Sequence, residues 1–208
     1  MAVTLFGLWH TSAVADQLMA LQAQLRDNEQ LLWHGVPDTR VWFAPADAYL
    51  IPFSIAWCAF AIFWESSVIR SGGPSFFAAW GIPFVAAGLY FVIGRFFYKR
   101  YRKGRTVYAI TTQRALIIGP RTSVDLPLQQ QPVTVRWSRD GRHASVLFEA
   151  SMRPNRGGIL RVASTNSYYG NTGMEPMARG TGLPFAFYDV ADPQAMLAAL
   201  DQARIQPV

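Results

Sequence analysis

The sequence predicts a transmembrane helical hairpin joined to a mainly β domain. Two apolar runs lie close together, residues 48–64 without a charge and residues 76–98 with Arg95 as the only charge. Five cations follow directly within residues 99–105, and short alternating segments separated by turn residues come after them. We therefore divide the chain into an N-terminal helix and entry segment (1–47), the hairpin (48–98), a basic juxtamembrane linker (99–105) and a cytoplasmic β domain (106–208).

Each apolar run is long enough to cross a bilayer as a helix. A membrane-spanning helix needs about 17 to 25 mostly apolar residues, and in hydrocarbon only helices and closed barrels satisfy the backbone. Buried core helices of a soluble protein are the alternative, but such helices normally keep one polar face, and neither run has one. Gly81 and Gly88 are seven residues apart, so they can share one face and let the two helices approach closely.

The charge distribution predicts the orientation of the hairpin. Positive flanks stay on the cytoplasmic side, so both termini are expected in the cytoplasm and residues 65–75 outside. Arg95 is about one turn from the basic end and is expected to extend towards it. The net charge of +6 is also typical of nucleic-acid partners, but cations that abut a membrane helix fit anionic lipid head groups better. The residues expected to contact lipid are Lys99, Arg100, Arg102, Lys103 and Arg105.

The N-terminal segment predicts one helix and one short extended stretch. Thr11 or Ser12 can cap a helix that reaches about Arg26, with an amphipathic stripe through Leu18 and Leu21. Since the segment has few cations, packing on the β domain is favoured over lying on the membrane surface. Residues 29–37, EQLLWHGVP, then form a brief strand or an extended segment that leads into the membrane.

Residues 106–208 predict about seven short strands and a closing helix. The clearest pair, residues 133–137 and 144–149, alternates apolar with polar residues around an Asp140-Gly141 turn. Asp192 can cap a final helix, with Pro193 in its first position and its end near Arg204. The glycine-rich stretch Ser164–Leu183 is long enough for a functional loop. The other predicted strands are residues 106–111, 114–118, 123–128, 159–163 and 185–190.

Three segments resemble the bacterial pleckstrin-homology-like family of membrane-anchored proteins. They are residues 29–37 before the hairpin, 108–117 (YAITTQRALI) after it and 187–193 (FYDVADP) before the last helix. The resemblance implies the bacterial inner membrane and a bent, partly open seven-stranded antiparallel barrel that the C-terminal helix plugs, but no single activity. Eukaryotic relatives bind phosphoinositide head groups near the first strand turn, here residues 111–114, which implies Arg114 as a candidate ligand contact.

No catalytic constellation stands out, and we expect neither a metal nor a cofactor. Cys58 is the only cysteine, the histidines lack ligand spacing, and His143 is expected to be solvated behind a hairpin turn. Arg136, Arg139 and Arg142 are expected to form a solvated charged face. A mobile basic loop could meet phosphates or an acidic partner through three further arginines, Arg153, Arg156 and Arg161.

These features predict a non-enzymatic membrane protein. Its β domain is expected to bind a protein partner, a second copy of itself or anionic lipid head groups, and no nucleic acid. The alternative is an accessory subunit of a larger membrane complex, of transporter or respiratory type, in which Gly81 and Gly88 contact foreign helices. A third alternative is an enzyme that acts on a lipid or a nucleotide.

Overall fold

A computed structural model describes residues 15–120, 123–128, 131–148, 170–175 and 185–205. The helices are α1 (residues 15–22), α2 (Asp47–Arg70), α3 (Ser75–Leu89), α4 (Arg95–Lys103) and α5 (Pro193–Ile205), and a π-helical turn, Tyr90–Gly94, joins α3 to α4. The strands are β1 (Leu31–Gly35), β2 (Val107–Thr111), β3 (Arg114–Ile118), β4 (Ser123–Pro127), β5 (Val133–Trp137), β6 (Ala144–Phe148) and β7 (Ala186–Val190).

The strands form two antiparallel sheets. One has the order β1-β2-β3-β4 and the other the order β5-β6-β7. Pro37, just beyond β1, forms an isolated bridge to Val190 at the end of β7 and so brings the two sheets together. Within the described residues the strands close no barrel.

Strand β1 links the chain before the hairpin of apolar helices to the chain after it. It precedes the apolar helices in the chain and pairs with β2, which follows them, so that Gly35 lies opposite Tyr108. The stretch 29–37 therefore contains a strand of the sheet rather than only an entry segment. As a consequence, both ends of the hairpin are fixed to the same sheet.

A group of aromatic residues lies in the core between the sheets and α5. Phe148 and Phe187 are fully buried, and Tyr108 stacks on Phe187 with 4.6 Å between ring centroids. Met196 and Leu200 of α5 belong to the same cluster. Fully burying one such side chain contributes about 1.5 to 3 kcal/mol, so α5 is an integral part of the β region.

Helix α1 packs on the β region. Leu21 is fully buried against Ala109 of β2 and Leu116 of β3, which confirms the favoured packing on protein. The helix ends at residue 22 rather than near Arg26. The predicted caps Thr11 and Ser12 lie outside the described residues.

Two helices are long and apolar enough to span a membrane, Asp47–Arg70 and the continuous helix Ser75–Lys103. Large apolar side chains cover their outer surface, including Phe60 (66% exposed) and Phe63 (71%). Soluble monomers rarely expose contiguous apolar patches larger than a few hundred Å². The surface is therefore typical of helices in lipid.

Close contact between α2 and α3 depends on two glycines. Gly81 and Gly88 are the buried residues of α3, which confirms that they share one face. A Cβ added at Gly88 would lie 3.0 Å from the Cα of Cys58 in α2. These glycines therefore contact a helix of their own chain, not the foreign helices of the accessory-subunit alternative.

Both apolar helices extend beyond the predicted runs. Helix α2 continues past Trp64 to Arg70. The Ser66 and Ser67 hydroxyls donate to carbonyls one turn earlier, and Arg70 complements the negative end of the helix dipole. The second helix includes residues 99–103. Most of the expected basic linker is therefore a continuation of the second apolar helix.

The β region follows the predicted strands closely. β3 and β5 have the predicted bounds, and β5 pairs with β6 across a turn in which Gly141 has a φ of +67°. The side chain of Asp192 accepts a hydrogen bond from the N–H of Ala195 at 3.1 Å, which confirms the cap of α5. The predicted strand 159–163 lies outside the described residues, and of the loop Ser164–Leu183 only residues 170–175 are described.

Gly88→Leu is expected to destabilise the hairpin, because the added side chain has no room against the backbone at Cys58. Overpacking of a close contact typically costs about 1 to 3 kcal/mol. Thermal unfolding in mild detergent should therefore begin at a lower temperature. Ala86→Leu adds the same side chain at an exposed position of α3 and should leave the transition unchanged. Equal shifts for the two variants would contradict close helix contact at Gly88.

Candidate functional site

A buried ion pair lies where the apolar helices meet the β region. Arg95 is completely buried, and its guanidinium pairs with the Asp47 carboxylate at the start of α2. The Nε–H of Arg95 donates to the Phe91 carbonyl at 2.8 Å, and the N–H of Ala44 donates to Asp47 at 2.6 Å. Buried charges must be paired and hydrogen-bonded. The expectation that Arg95 extends towards the basic end is therefore wrong.

Two lysines on the same face of α4 are inserted into the protein. Arg95, Lys99 and Lys103 are spaced by four residues, so they line one face of the helix, and they are its buried residues. The Lys99 ammonium donates to the Trp42 carbonyl at 2.9 Å. The Lys103 ammonium donates to the Val41 carbonyl at 2.7 Å and to the Asp189 carboxylate at 2.5 Å. The ammonium groups of both lysines thus contact the protein.

The other three cations of the basic run lie on the outer face of α4 and just beyond it. The Arg102 guanidinium is 3.5 Å from the Glu175 carboxylate, and its side chain is 41% exposed. Arg100 stacks over the ring of Trp42 and Arg105 over the ring of Tyr101. The five residues expected at lipid head groups therefore divide into two buried lysines and three arginines near the surface.

Asp189 organises the junction from the side of β7. Its backbone has a φ of +52°, which is uncommon for a residue with a side chain. Its carboxylate accepts hydrogen bonds from Lys103 and from the Asn171 amide, both at 2.5 Å. Its N–H donates to the Ser145 hydroxyl at 3.1 Å, and its carbonyl accepts from the N–H of Asp38 at 2.9 Å. These contacts hold the unusual backbone conformation in place.

Arg114, implied as a ligand contact by the resemblance, has protein partners at every guanidinium nitrogen. Its Nε and Nη2 donate to the Glu29 carboxylate at 2.9 and 3.0 Å, and Nη2 also donates to the Gln24 carbonyl at 2.7 Å. Its Nη1 donates to Asp125 at 3.0 Å. The residue therefore ties β3 to β4 and to the segment after α1. Arg153, Arg156 and Arg161 lie outside the described residues.

The Glu29 carboxylate has a strongly lowered pKa. Burial by itself raises the pKa of Glu29, but hydrogen bonds from Arg114 and from the Thr111 hydroxyl outweigh this and lower it to about 2. The ion pair is therefore fully charged at neutral pH and belongs to the structural framework of the sheet.

A cleft of about 570 Å³ opens beside the buried junction. Ligand sites typically measure about 300 to 1,000 Å³. One wall is the segment that enters α2, with Phe43, Ala48 and Ile51, and the other is the hairpin of β5 and β6, with Arg136 and Arg139. The remaining lining residues are Val41, Ala44, Pro45, Ala46, Asp47, Trp137, Ser138, His143, Ser145, Leu147, Gly170, Asn171, Tyr188 and Asp189.

Two further polar groups line this cleft. The Nε2 of His143 lies 2.9 Å from the Asp38 carboxylate, so the expectation that His143 is merely solvated is wrong. Burial raises the pKa of Asp38, but hydrogen bonds from the N–H of Arg40 and from His143 lower it overall. The Tyr188 hydroxyl is buried and has no hydrogen-bond partner among the described residues.

A second depression of about 680 Å³ lies between Pro132 and Arg204. It is wide open, and its arginine donates to the Gln131 carbonyl at 2.7 Å. Its few lining residues offer no group of converging polar side chains. The cleft beside α2 is therefore the better candidate site.

Comparison with known protein families, curated proteins and solved structures found no match. Within the described part of the chain, no three His, Cys, Asp or Glu side chains come together in a group that could hold a metal ion. Cys58 is buried in the hairpin, remote from the cleft-lining residues. The functional assignment therefore starts from the junction and its cleft.

Sequence reasoning missed the acids of the junction. Asp38 lies in the segment before α2, Asp47 lies at the start of α2, Asp189 lies far away in β7, and no motif links the three. The four-residue spacing of Arg95, Lys99 and Lys103 was a usable signal, because a face of three cations at the end of an apolar helix needs acceptors.

Glu29→Gln should make the stability of the protein less dependent on acid pH. Since the pKa of Glu29 falls from 4.5 to about 2 on folding, its charged form contributes stability above about pH 4.5, and this contribution is lost as the pH falls towards 2. It is on the order of 3 kcal/mol at neutral pH. Denaturant unfolding in mild detergent, repeated from about pH 6 down to about pH 2, measures the effect.

Asp27→Asn is the matched control, because Asp27 is an exposed acid two residues away. It should retain the acid dependence of the wild type. A Glu29→Gln variant whose stability falls as steeply with acid as that of the wild type would contradict the folded-state role of this carboxylate.

Proposed function

We propose that this protein is a non-enzymatic, membrane-anchored binding module. Its two apolar helices cross the bacterial inner membrane with both termini in the cytoplasm. Its β region is a pleckstrin-homology-like domain held at the cytoplasmic surface. There it binds a protein partner, a second copy of itself or anionic lipid head groups.

The observation that carries this proposal is the attachment of α4 to the segment before α2 and to the end of β7 through two buried lysines. The helix continues from an apolar span without a break, and Lys99 and Lys103 donate to carbonyls of residues 38–42. Lys103 also pairs with Asp189 of β7. A membrane helix coupled in this way holds a domain at a fixed height and angle, whereas a flexible tether would leave it free to rotate. A fixed orientation suits a module that presents one surface to the membrane or to a partner in it.

The pleckstrin-homology-like assignment has support from the strand arrangement. Seven described strands divide into a group of four and a group of three, and α5 packs on β1 and β2. The three segments that carry the resemblance are also spatial neighbours, because β1 pairs with β2, β2 pairs with β3, and Pro37 bridges to Val190. An open pair of sheets is compatible with a partly open barrel.

Replacing all five cations of residues 99–105 by Gln should invert or scramble the topology of the hairpin, because they supply the positive flank that stays inside. Membrane-impermeant thiol labelling of intact cells measures this in a Cys58→Ser background. Ser71→Cys reports on the loop between the helices, and Asp201→Cys reports on α5. With the five cations in place, the variant with a cysteine at residue 71 should be labelled, and the variant with a cysteine at residue 201 should not.

A matched control replaces five cations outside residues 99–105 by Gln, namely Arg26, Arg136, Arg139, Arg142 and Arg204. It has the same change in net charge and should keep the wild-type labelling pattern. Labelling of residue 201 from outside in the wild-type chain would refute the orientation. An unchanged pattern after replacement of residues 99–105 would refute the role of the basic run.

A further inference from the structure

The cleft beside the junction opens next to the first turns of a membrane helix. Helix α2 begins at Asp47, and both Ala48 and Ile51 of its first two turns line the cleft. Phe43, just before the helix, lines the same wall and is 66% exposed. An apolar wall that continues into a membrane span gives alkyl chains a path from the bilayer into the cleft. This step rests on the proposed insertion of the hairpin.

The charges around the cleft favour an anion. Its two lining carboxylates are already neutralised from inside the protein, Asp47 by Arg95 and Asp189 by Lys103. They therefore do not offset the positive charge of Arg136 and Arg139, which are exposed on the opposite wall. A guanidinium group matches the geometry of a phosphate and binds it through paired N–H donors.

A buried hydroxyl adds a polar group to the same cleft. Tyr188 is among the lining residues, and its hydroxyl has no hydrogen-bond partner within the described residues. Burial raises the pKa of Tyr188, so the hydroxyl stays protonated at neutral pH. Leaving a buried hydroxyl unsatisfied costs free energy, and a bound polar head group would remove that cost.

We propose that this cleft binds one anionic phospholipid that enters from the cytoplasmic leaflet. Arg136 and Arg139 bind the phosphate, and Phe43, Ala48 and Ile51 contact the glycerol and the first part of the acyl chains. A free phosphate ion would use the arginines but not the apolar wall. The combination of both walls therefore specifies a lipid. The site is distinct from the strand turn at Arg114, whose guanidinium is occupied by Glu29 and Asp125.

The test measures the lipid bound to the intact protein. The chain is delipidated, incorporated into vesicles of phosphatidylcholine and phosphatidylglycerol in equal amounts, floated, and released in mild detergent for native mass spectrometry. The wild type should retain one phosphatidylglycerol in preference to phosphatidylcholine. The double variant R136Q/R139Q should lower the ratio of bound phosphatidylglycerol to phosphatidylcholine by about tenfold or more, because each cation near an anionic lipid contributes about fivefold.

Two matched controls separate the cleft from general surface charge and bulk. R142Q removes an exposed arginine from the same turn that does not line the cleft, and it should bind lipid as the wild type does. Ala48→Phe fills the cleft without changing its charge and should lower bound phosphatidylglycerol. Ala56→Phe makes the same change at an exposed position further along α2 and should leave the amount of bound phosphatidylglycerol unchanged.

Other outcomes overturn the inference in distinguishable ways. Vesicle-bound protein without preference for phosphatidylglycerol, or equal losses in R142Q and in the double variant, would refute the lipid cleft but leave the membrane anchor intact. Protein that fails to float with either lipid would refute the proposed function itself. A stoichiometric protein that co-purifies and is lost on Ala48→Phe would make the cleft a protein-binding site.

Discussion

The arrangement of this protein depends on one charged face of α4 that is buried against α2, the segment before it and the end of β7. Arg95, Lys99 and Lys103 follow each other along α4 and are buried, although α4 continues a helix that is apolar enough to span a membrane. Burying a charge costs several kcal/mol unless it is paired, so each cation has fixed acceptors. Asp47, Asp189 and the backbone carbonyls of residues 38–42 supply them. The conformation of the segment that enters α2 and that of the end of β7 are thereby set by the same helix.

The position of the hairpin within the sheet reinforces this coupling. Because β1 precedes the hairpin and pairs with β2 after it, the chain leaves the sheet and returns to the neighbouring strand. The sheet therefore holds the two ends of the hairpin close together, and the pairing of Arg95 with Asp47 adds a direct contact between its two helices. A change in the spacing of the helices, for example by a ligand or a partner in the membrane, would act on β1, β2 and β7 together.

The sequence predicted those helices, strands and turns that are determined by residues close together in the chain. Apolar runs, the Asp140-Gly141 turn and the Asp192 cap each depend on neighbouring residues, and the corresponding helices and strands are present. Long-range partners were not predictable in this way. The resemblance implied Arg114 as a ligand contact, and nothing in its own segment reveals its partner Glu29, which lies 85 residues away. The cations of residues 99–105 were all predicted to contact lipid, although the helical period divides them into buried lysines and outward arginines.

The buried network also determines the character of the cleft. Asp47 and Asp189 line it and would repel an anion if they were unpaired, but Arg95 and Lys103 pair with them from the protein side. The same ion pairs thus join the β region to the two apolar helices, and the exposed Arg136 and Arg139 lie on the opposite wall of the cleft. Loss of either buried cation would both loosen the domain and add a negative charge to the cleft. In the proposed function, membrane anchoring and lipid binding therefore share residues, so a variant of Lys103 is expected to affect both, whereas a variant of Arg139 is expected to affect lipid binding alone.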